Sequence, residues 1–448
     1  MKEVIIAVFD IGKTNKKLIL FNESLKIVSE TEEKFTEIKD DDGFDCDDIE
    51  QIEKWIKESV IKLVHSDVYD LKAVNFSTHG ATLVYLDADG KRITPVYNYL
   101  KPIDERIPES IYKRHGGRDE FCRRTASPAL GMLNSGMQIL WLKTVKPDVF
   151  AKVKDILHFP QYLSYILTGK VYTEHTSIGC HTALWDFDKM DYHDWVKGLD
   201  FNLPEPVPVD TFNDVLIEGK SVQIGIGIHD SSASLAPYFY NNNKFILIST
   251  GTWCICMNPF NEEILTSSQL DNDCLCYLSI ERQPVKSSRL YLGHLHETAV
   301  RKITEHFNKP DFFYKKVKAD KQLLSLLGTK YKEKKVFFQT GLNSRDLKDY
   351  IDLFEFTSPE EAYHQLMNEL CQLTYEAISL VIPLTGEISN IYITGGFSRN
   401  ELFQILIKKA FPSKKLYISE IANASALGAA LVISGSKHLP DLGLTECL

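Results

Sequence analysis

The chain has 448 residues, more than one compact core usually takes and ample for two large domains. Hydrophobic residues make up 44% and charged residues 25%, and 51 basic against 61 acidic side chains leave a net charge of −10. This is soluble globular composition, and its acidic balance argues against a nucleic-acid surface.

The N-terminal apolar stretch, Val4 to Phe9, ends at Asp10, and the run from Val381 to Ile393 is interrupted by Pro383, Gly386 and Glu387. Neither is long enough for a secretory leader or a membrane span, so a cytoplasmic protein without membrane or nucleic-acid partners is expected. Nine scattered cysteines fit reduced thiols. Cys254/Cys256 and Cys274/Cys276 form two C-x-C pairs in strand-like runs. Alternation puts both sulfurs of a pair on one face, where they read as small core residues rather than as zinc ligands of the usual spacing.

In chain order, short strands are expected at Val4–Phe9, Lys17–Phe21 and Leu25–Glu30. An acidic loop, Asp40 to Asp48, reads as a solvated surface run. A helix follows, because Ile49, Ile52, Ile56, Val60 and Leu63 recur at three- and four-residue steps. Lys72–Phe76 is the next strand, ending at Ser77-Thr78-His79-Gly80. The stretch from Asp104 to Phe201 is mostly helical, with Gly169 stopping the helix Gln161–Thr168. A Pro-rich connection at 203–208 leads to a strand at Val222–Ile228, after which Asp230 opens a helix of small residues.

From Lys244 the opening pattern repeats: a strand, a tight turn at Thr250-Gly251-Thr252, and a returning strand, Trp253–Met257. A long helix (Pro359–Val381), a strand (Asn390–Thr394), a helix (Arg399–Ala410), a strand (Lys415–Ile418) and a last helix (Ala422–Ile433) complete the chain. Two matching halves, 1–243 and 244–448, predict a duplicated α/β fold with a cleft between the copies.

Four segments carry candidate chemistry. Asp10-Ile-Gly12-Lys13-Thr14-Asn15 suits phosphate: Gly12 allows close backbone approach, turn N–H groups make an anion cradle, Lys13 adds charge, and Asp10 can hold Mg2+. It is not a Walker A loop, since Ala7 stands where that loop needs glycine. Ser249-Thr250-Gly251-Thr252 is a second such turn, and two opposed turns can grip a nucleotide's phosphates. Gly395-Gly396-Phe397-Ser398-Arg399-Asn400 is a strand-to-helix junction flat enough for a planar base. Gly227-Ile228-His229-Asp230 brings a carboxylate to the end of an apolar strand, as a kinase needs to accept the attacking hydroxyl's proton. His79, His229, Asp104 and Arg106 are candidate sugar contacts. Each segment alone also reads as an ordinary turn or helix cap.

In this order the segments resemble the FGGY carbohydrate kinases, with Ile393–Asn400 and Ala424–Ala430 similar to that family's adenosine region and Phe159–Gly169 to a segment of its N-terminal domain. The resemblance implies two ribonuclease-H-like domains of the actin-like ATPase fold, with ATP and Mg2+ in the cleft and phosphoryl transfer to a sugar. It implies Asp230 as general base, Asp10 as the Mg2+ residue, Thr14 and Thr252 at the phosphates, and Gly396 and Asn400 near adenosine. The His-Asp pair followed by small residues is similar to the rhamnulose and fuculose kinase branches. The expected substrate is therefore a ketose, such as L-rhamnulose, L-fuculose or xylulose, and family members are often dimers.

Three departures stand out. Lys13 replaces a small or hydroxyl residue, five residues separate Tyr97-Asn98 from Asp104-Glu105-Arg106, and the loop Phe337–Asn343 is not of the acidic type. The competing expectation is an ATP-binding regulator on the same fold. A hydrolase built on the acidic loop is disfavoured.

Overall fold

Ile5 to Phe9 are apolar on both faces, and the strand they form is buried on both. In the computed structural model, which describes residues 2–199, 204–239, 243–332, 334–338, 351–384, 388–435 and 441–447, this strand, Glu3–Ile11, is the centre of a first sheet. It runs antiparallel to Lys16–Asn22 and parallel to Tyr69–Thr78. Ile27–Glu33 extends the sheet beyond Lys16–Asn22. On the other side Lys220–Gly225 runs parallel to Tyr69–Thr78, and Phe212–Ile217 forms the edge. The crossover is the helix Ile49–Val64, capped by Asp48 accepting from the Gln51 N–H. Its five predicted apolar positions are all buried, each contributing roughly 1.5–3 kcal/mol.

The second sheet repeats the plan. Phe245–Thr250 is antiparallel to Cys254–Asn258 and parallel to Asn390–Gly395, which the helix Pro359–Val381 precedes. Pro284–Leu290 and Cys274–Leu278 extend one side, and Lys415–Ile418 and Thr445–Glu446 the other. Cys254, Cys256, Cys274 and Cys276 are all buried in these strands. The last helix, Ala424–Ser434, leaves the second sheet and packs on the helix Asp230–Phe239 and on strands Glu3–Ile11 and Tyr69–Thr78 of the first. Among the described residues, no helix is long and apolar enough to cross a membrane.

Residues 104–199 form a helical layer around Trp141, Trp185 and Trp195. The helix Phe159–Thr168 ends at Gly169 in the left-handed conformation, at the predicted stop. Sequence pattern missed Phe212–Ile217, Pro284–Leu290 and the helix Leu292–Phe307. The acidic loop also departs from expectation, because Asp40 is buried. The Lys101 ammonium lies 2.6 Å from Asp40 and 2.5 Å from Asp42. It also sits 4.7 to 5.0 Å from the rings of Tyr97, Trp141 and Phe44. A buried charge is tolerated because it is paired and cradled. Residues 339–343 of the loop Phe337–Asn343 lie outside the described residues.

Candidate active site

Parallel strands leave a crevice at their carboxyl ends, where the chain turns away from the sheet. Four of the predicted segments end there. The first turn closes with Gly12 N–H donating to Asn15 C=O (3.0 Å), and the second with Gly251 N–H to Trp253 C=O (2.9 Å). Beside the second turn, Gly395 has φ +86°, and a Cβ there would stand 1.7 Å from the Thr250 carbonyl oxygen. Glycine is therefore required for the two strands to meet. The Thr250 hydroxyl donates to Thr394 C=O and accepts from Phe397 N–H, so it locks the second turn to the glycine-rich junction. Asn400 caps the helix Glu401–Ala410 and donates to the Tyr363 hydroxyl. Gly293 N–H donates to Thr252 C=O, bringing the start of the helix Leu292–Phe307 against this turn.

Asp230 occupies the centre. It lines a cavity of about 500 Å3 with His79, His229, Tyr99 and residues of both halves, and also a cavity of about 270 Å3 with Asp10, Gly12, Thr14, Asn15, Lys17 and Ser425. A cavity of about 910 Å3 along the exposed lysines of the segment 309–323 contains none of these residues.

Buried polar groups hold the strand end that presents Asp230. Asn75 Oδ1 accepts from Gly227 N–H (3.1 Å), and Gln161 Nε2 donates to Gly227 C=O (2.9 Å). The Thr176 hydroxyl accepts from His229 N–H (3.0 Å) and donates to Glu174 Oε1 (2.8 Å). Buried hydrogen bonds of this kind rigidify the position they support.

Burial pushes the Asp230 carboxyl above the usual aspartate range, partly offset by hydrogen bonds from Ser231. Its side chain is 38% exposed and lines both cavities, the larger of them bounded by residues of both halves. Burial also raises Asp10, opposed by the hydrogen bond from Ser425 (2.8 Å) and reinforced by the Asp230 charge. His229 is held neutral, pushed down to about 4 by burial, and its Nε2 lies 3.4 Å from Asp230. His79 is lowered by the same cause; its Nδ1 donates to Ile11 C=O and its Nε2 accepts from Thr82.

The remaining expected residues lie elsewhere or differently. Asp104 and Arg106 pair with one another at the surface, Arg106 being 91% exposed, and neither lines the cleft. Tyr99 lines it instead. Lys13 turns to Glu37 (2.7 Å) and Asp47 (2.9 Å), away from the acid-lined cavity. Lys17, which sequence reasoning passed over, stands opposite Asp10 in the hairpin register and lines that cavity. A four-residue turn at Gly12 to Asn15, with Ile11 paired to Lys16, would have revealed it. Ser425, Glu174 and Thr176 carried no comparable signal.

Residues 5–199 match the FGGY family of carbohydrate kinases, N-terminal domain, and residues 242–323 match the carbohydrate kinase FGGY, C-terminal domain. A rhamnulokinase of Oceanobacillus iheyensis is 23% identical over 440 residues, covering 94% of this chain and 91% of that protein. Among solved structures, a carbohydrate kinase from Novosphingobium aromaticivorans superposes with a TM-score of 0.80 at 23% identity, over 98% of this chain and 95% of that one. A xylulose kinase from Lactobacillus acidophilus gives 0.74 at 17%, over 99% and 93%. The two sheets are thus the duplicated actin-like, ribonuclease-H-like ATPase fold. The chain belongs to the FGGY family of carbohydrate kinases.

Proposed function

We propose that the protein is an ATP-dependent kinase of 6-deoxyketohexoses of the L-rhamnulose or L-fuculose type, with Asp230 as general base. The observation that carries this reading is that Asp230 borders both cavities, the larger suited to a sugar and the smaller to phosphate. Leu133, Ile255, Met257 and Leu275 give the larger cavity an apolar wall for a terminal methyl group, while His79, His229 and Asp230 offer polar edges. One methyl contributes only about 1–3 kcal/mol to such discrimination, so the wall favours deoxy sugars without excluding ketopentoses such as xylulose.

In the reaction the sugar hydroxyl gives its proton to Asp230 as its oxygen bonds to the γ-phosphorus, and the bond to the β-phosphate oxygen breaks to release ADP. Asp10, with Ser425 fixing one of its oxygens, would hold the Mg2+ of MgATP: burial and the nearby Asp230 charge both raise its cost of ionisation, which a divalent cation would offset. Mg2+ bound there would neutralise phosphate oxygens. The turns at Gly12 to Asn15 and Thr250 to Thr252 supply backbone N–H groups to the phosphates, and Gly395, Gly396 and Asn400 border the adenosine. Closure of the halves would exclude water from the transfer.

Lys17, whose ammonium lies 2.7 Å from Glu30 but which lines the acid-lined cavity as Lys13 does not, is the cation we assign to the phosphates, with Lys13 bracing its loop. Charge-assisted hydrogen bonds contribute about 1.5–3 kcal/mol. Lys17→Met should therefore raise KM for MgATP by roughly 10-fold or more, and Lys13→Met by less than about 3-fold. Equal effects of the two changes in steady-state assays would refute this division.

The test of the proposed reaction is ADP release from MgATP across L-rhamnulose, L-fuculose, xylulose and glycerol. Stimulation by a deoxyketose above the others is expected. Stimulation by glycerol alone would overturn the substrate assignment, and failure of every sugar would overturn the ketose reading.

A further inference from the structure

The wall of the 500 Å3 cavity contributed by the second sheet contains one guanidinium. Arg289 stands on the strand Pro284–Leu290 opposite Ile255, and both side chains face the cleft. Two contacts fix it. Its Nη2 lies 3.1 Å from Asp273 Oδ1, and its guanidinium carbon lies 5.7 Å from the centre of the Trp253 ring. Trp253 in turn stacks on Tyr291 at 4.4 Å, so the platform under Arg289 is itself braced.

Of the five guanidinium N–H donors, the clamp engages one, at Nη2. Arg289 Nε is buried and has no hydrogen-bond partner among the described residues. The side chain is 26% exposed where it lines the cavity, so a ligand there can reach its other N–H donors, and the contact with Asp273 aims them. The positive charge also reaches across the cleft, where it opposes the rise that burial gives the Cys180 thiol and adds to the fall that burial gives the His181 imidazole. Burial holds His79, His181 and His229 largely neutral, which leaves Arg289 as the permanent cation lining this cavity among the described residues.

We infer that Arg289 is a specificity-determining residue, which donates to a neutral sugar hydroxyl other than the one passed to Asp230. We further infer that Asp273, by occupying the same guanidinium, biases the cavity toward neutral sugars over sugar acids. The inference rests on the ketose-kinase reading and deepens it. Asp273 already supplies the anion that a guanidinium attracts, so a sugar carboxylate would place a second acid on one charge, whereas a hydroxyl needs only one unpaired N–H. Because Arg289 belongs to the second sheet and Asp230 to the first, a sugar touching both bridges the two halves. Uniform binding of this kind is read in KM and Kd rather than in kcat.

The test uses the full chain and calorimetric titration of L-rhamnulose and L-fuculose, together with kcat and KM, for wild type, Arg289→Met and Arg289→Lys. The Met variant should raise Kd and KM for the better sugar by about 10-fold or more, with kcat at saturation within about 3-fold and KM for MgATP unchanged. The Lys variant, which keeps charge but loses the fork, should fall between. Asp273→Asn should lower the inhibition constant of D-gluconate, competing against the sugar, by about 5-fold or more.

Wild-type Kd and KM in Arg289→Met would overturn the assignment while leaving the ketose reading intact. So would a loss confined to kcat, which would make Arg289 a brace of the sheet. An unchanged gluconate constant in Asp273→Asn would overturn the charge argument. A wild type that neither binds nor turns over either sugar would remove the ketose reading and this inference with it.

Discussion

Asp230→Asn should lower sugar-dependent ADP formation by about 1000-fold, within the roughly 100- to 10,000-fold range of general acid–base catalysis. Asparagine keeps the shape and the place of the side chain at the start of the helix Asp230–Phe239, so the fold and the affinity for MgATP should persist while the proton acceptor is gone. A pH signature accompanies the loss. Burial raises Asp230 above the ordinary aspartate value of 3.8. Only the deprotonated form accepts the hydroxyl proton, so wild-type kcat/KM climbs as pH rises through an acidic limb above 3.8, and the residual activity of the variant lacks that limb. Activity in Asp230→Asn within about 10-fold of wild type would assign the base elsewhere.

The second large effect concerns stability. A methyl group added at Gly428 would stand 1.8 Å from the Ala233 carbonyl oxygen and 2.6 Å from its carbon. These atoms are backbone, so no side chain can swing aside. Gly428→Ala must separate the last helix from the helix Asp230–Phe239, and Ala233 lies less than one turn beyond the catalytic candidate. The expected cost is about 3 kcal/mol, the upper part of the usual range for overpacking. It should appear as an apparent Tm lower by several degrees, with a loss of sugar-dependent turnover because Asp230 moves with its helix. Gly328→Ala is the control: nothing lies within 4 Å of a Cβ there, and alanine should be neutral or stabilising by up to about 1 kcal/mol in a helix. A Gly428→Ala protein that melts like wild type would contradict the close crossing of the two helices.

The parts of the fold legible in the sequence are those governed by local pattern. The helix Pro359–Val381 and the strand Lys415–Ile418 match their expected bounds, and the repeat of hairpin, helix and parallel strand was visible from the two turns. Local pattern misled where burial inverted it. Phe212–Ile217 is an edge strand whose apolar residues Phe212 and Leu216 face outward, 42% and 75% exposed, so it lacks the usual apolar-in alternation. Pro284–Leu290 buries Lys286, Ser287 and Ser288, which in sequence resemble a polar loop. Arg289 was hidden for that reason.

Long-range pairing was the other blind spot. Asp40 is buried because Lys101, far along the chain, pairs with it, and Lys13 is taken up by Glu37 and Asp47. Asp104 and Arg106 satisfy one another two residues apart, and so had no need of the cleft. Within the candidate site, Asp10, Gly12, Thr14, Asn15, His79, His229 and Asp230 come together around two adjoining cavities. The hydrogen bonds that hold them, through Asn75, Gln161, Thr176 and Glu174, are contacts that no spacing announces.

The most direct measurement is phosphorus NMR of a reaction containing wild-type protein, MgATP and L-rhamnulose, run beside Asp230→Asn. The predicted spectrum contains a new sugar phosphomonoester resonance that grows in step with ADP and is absent in the variant. ADP accompanied only by inorganic phosphate, or an ester that forms equally with Asp230→Asn, would contradict phosphoryl transfer to the sugar with Asp230 as its base.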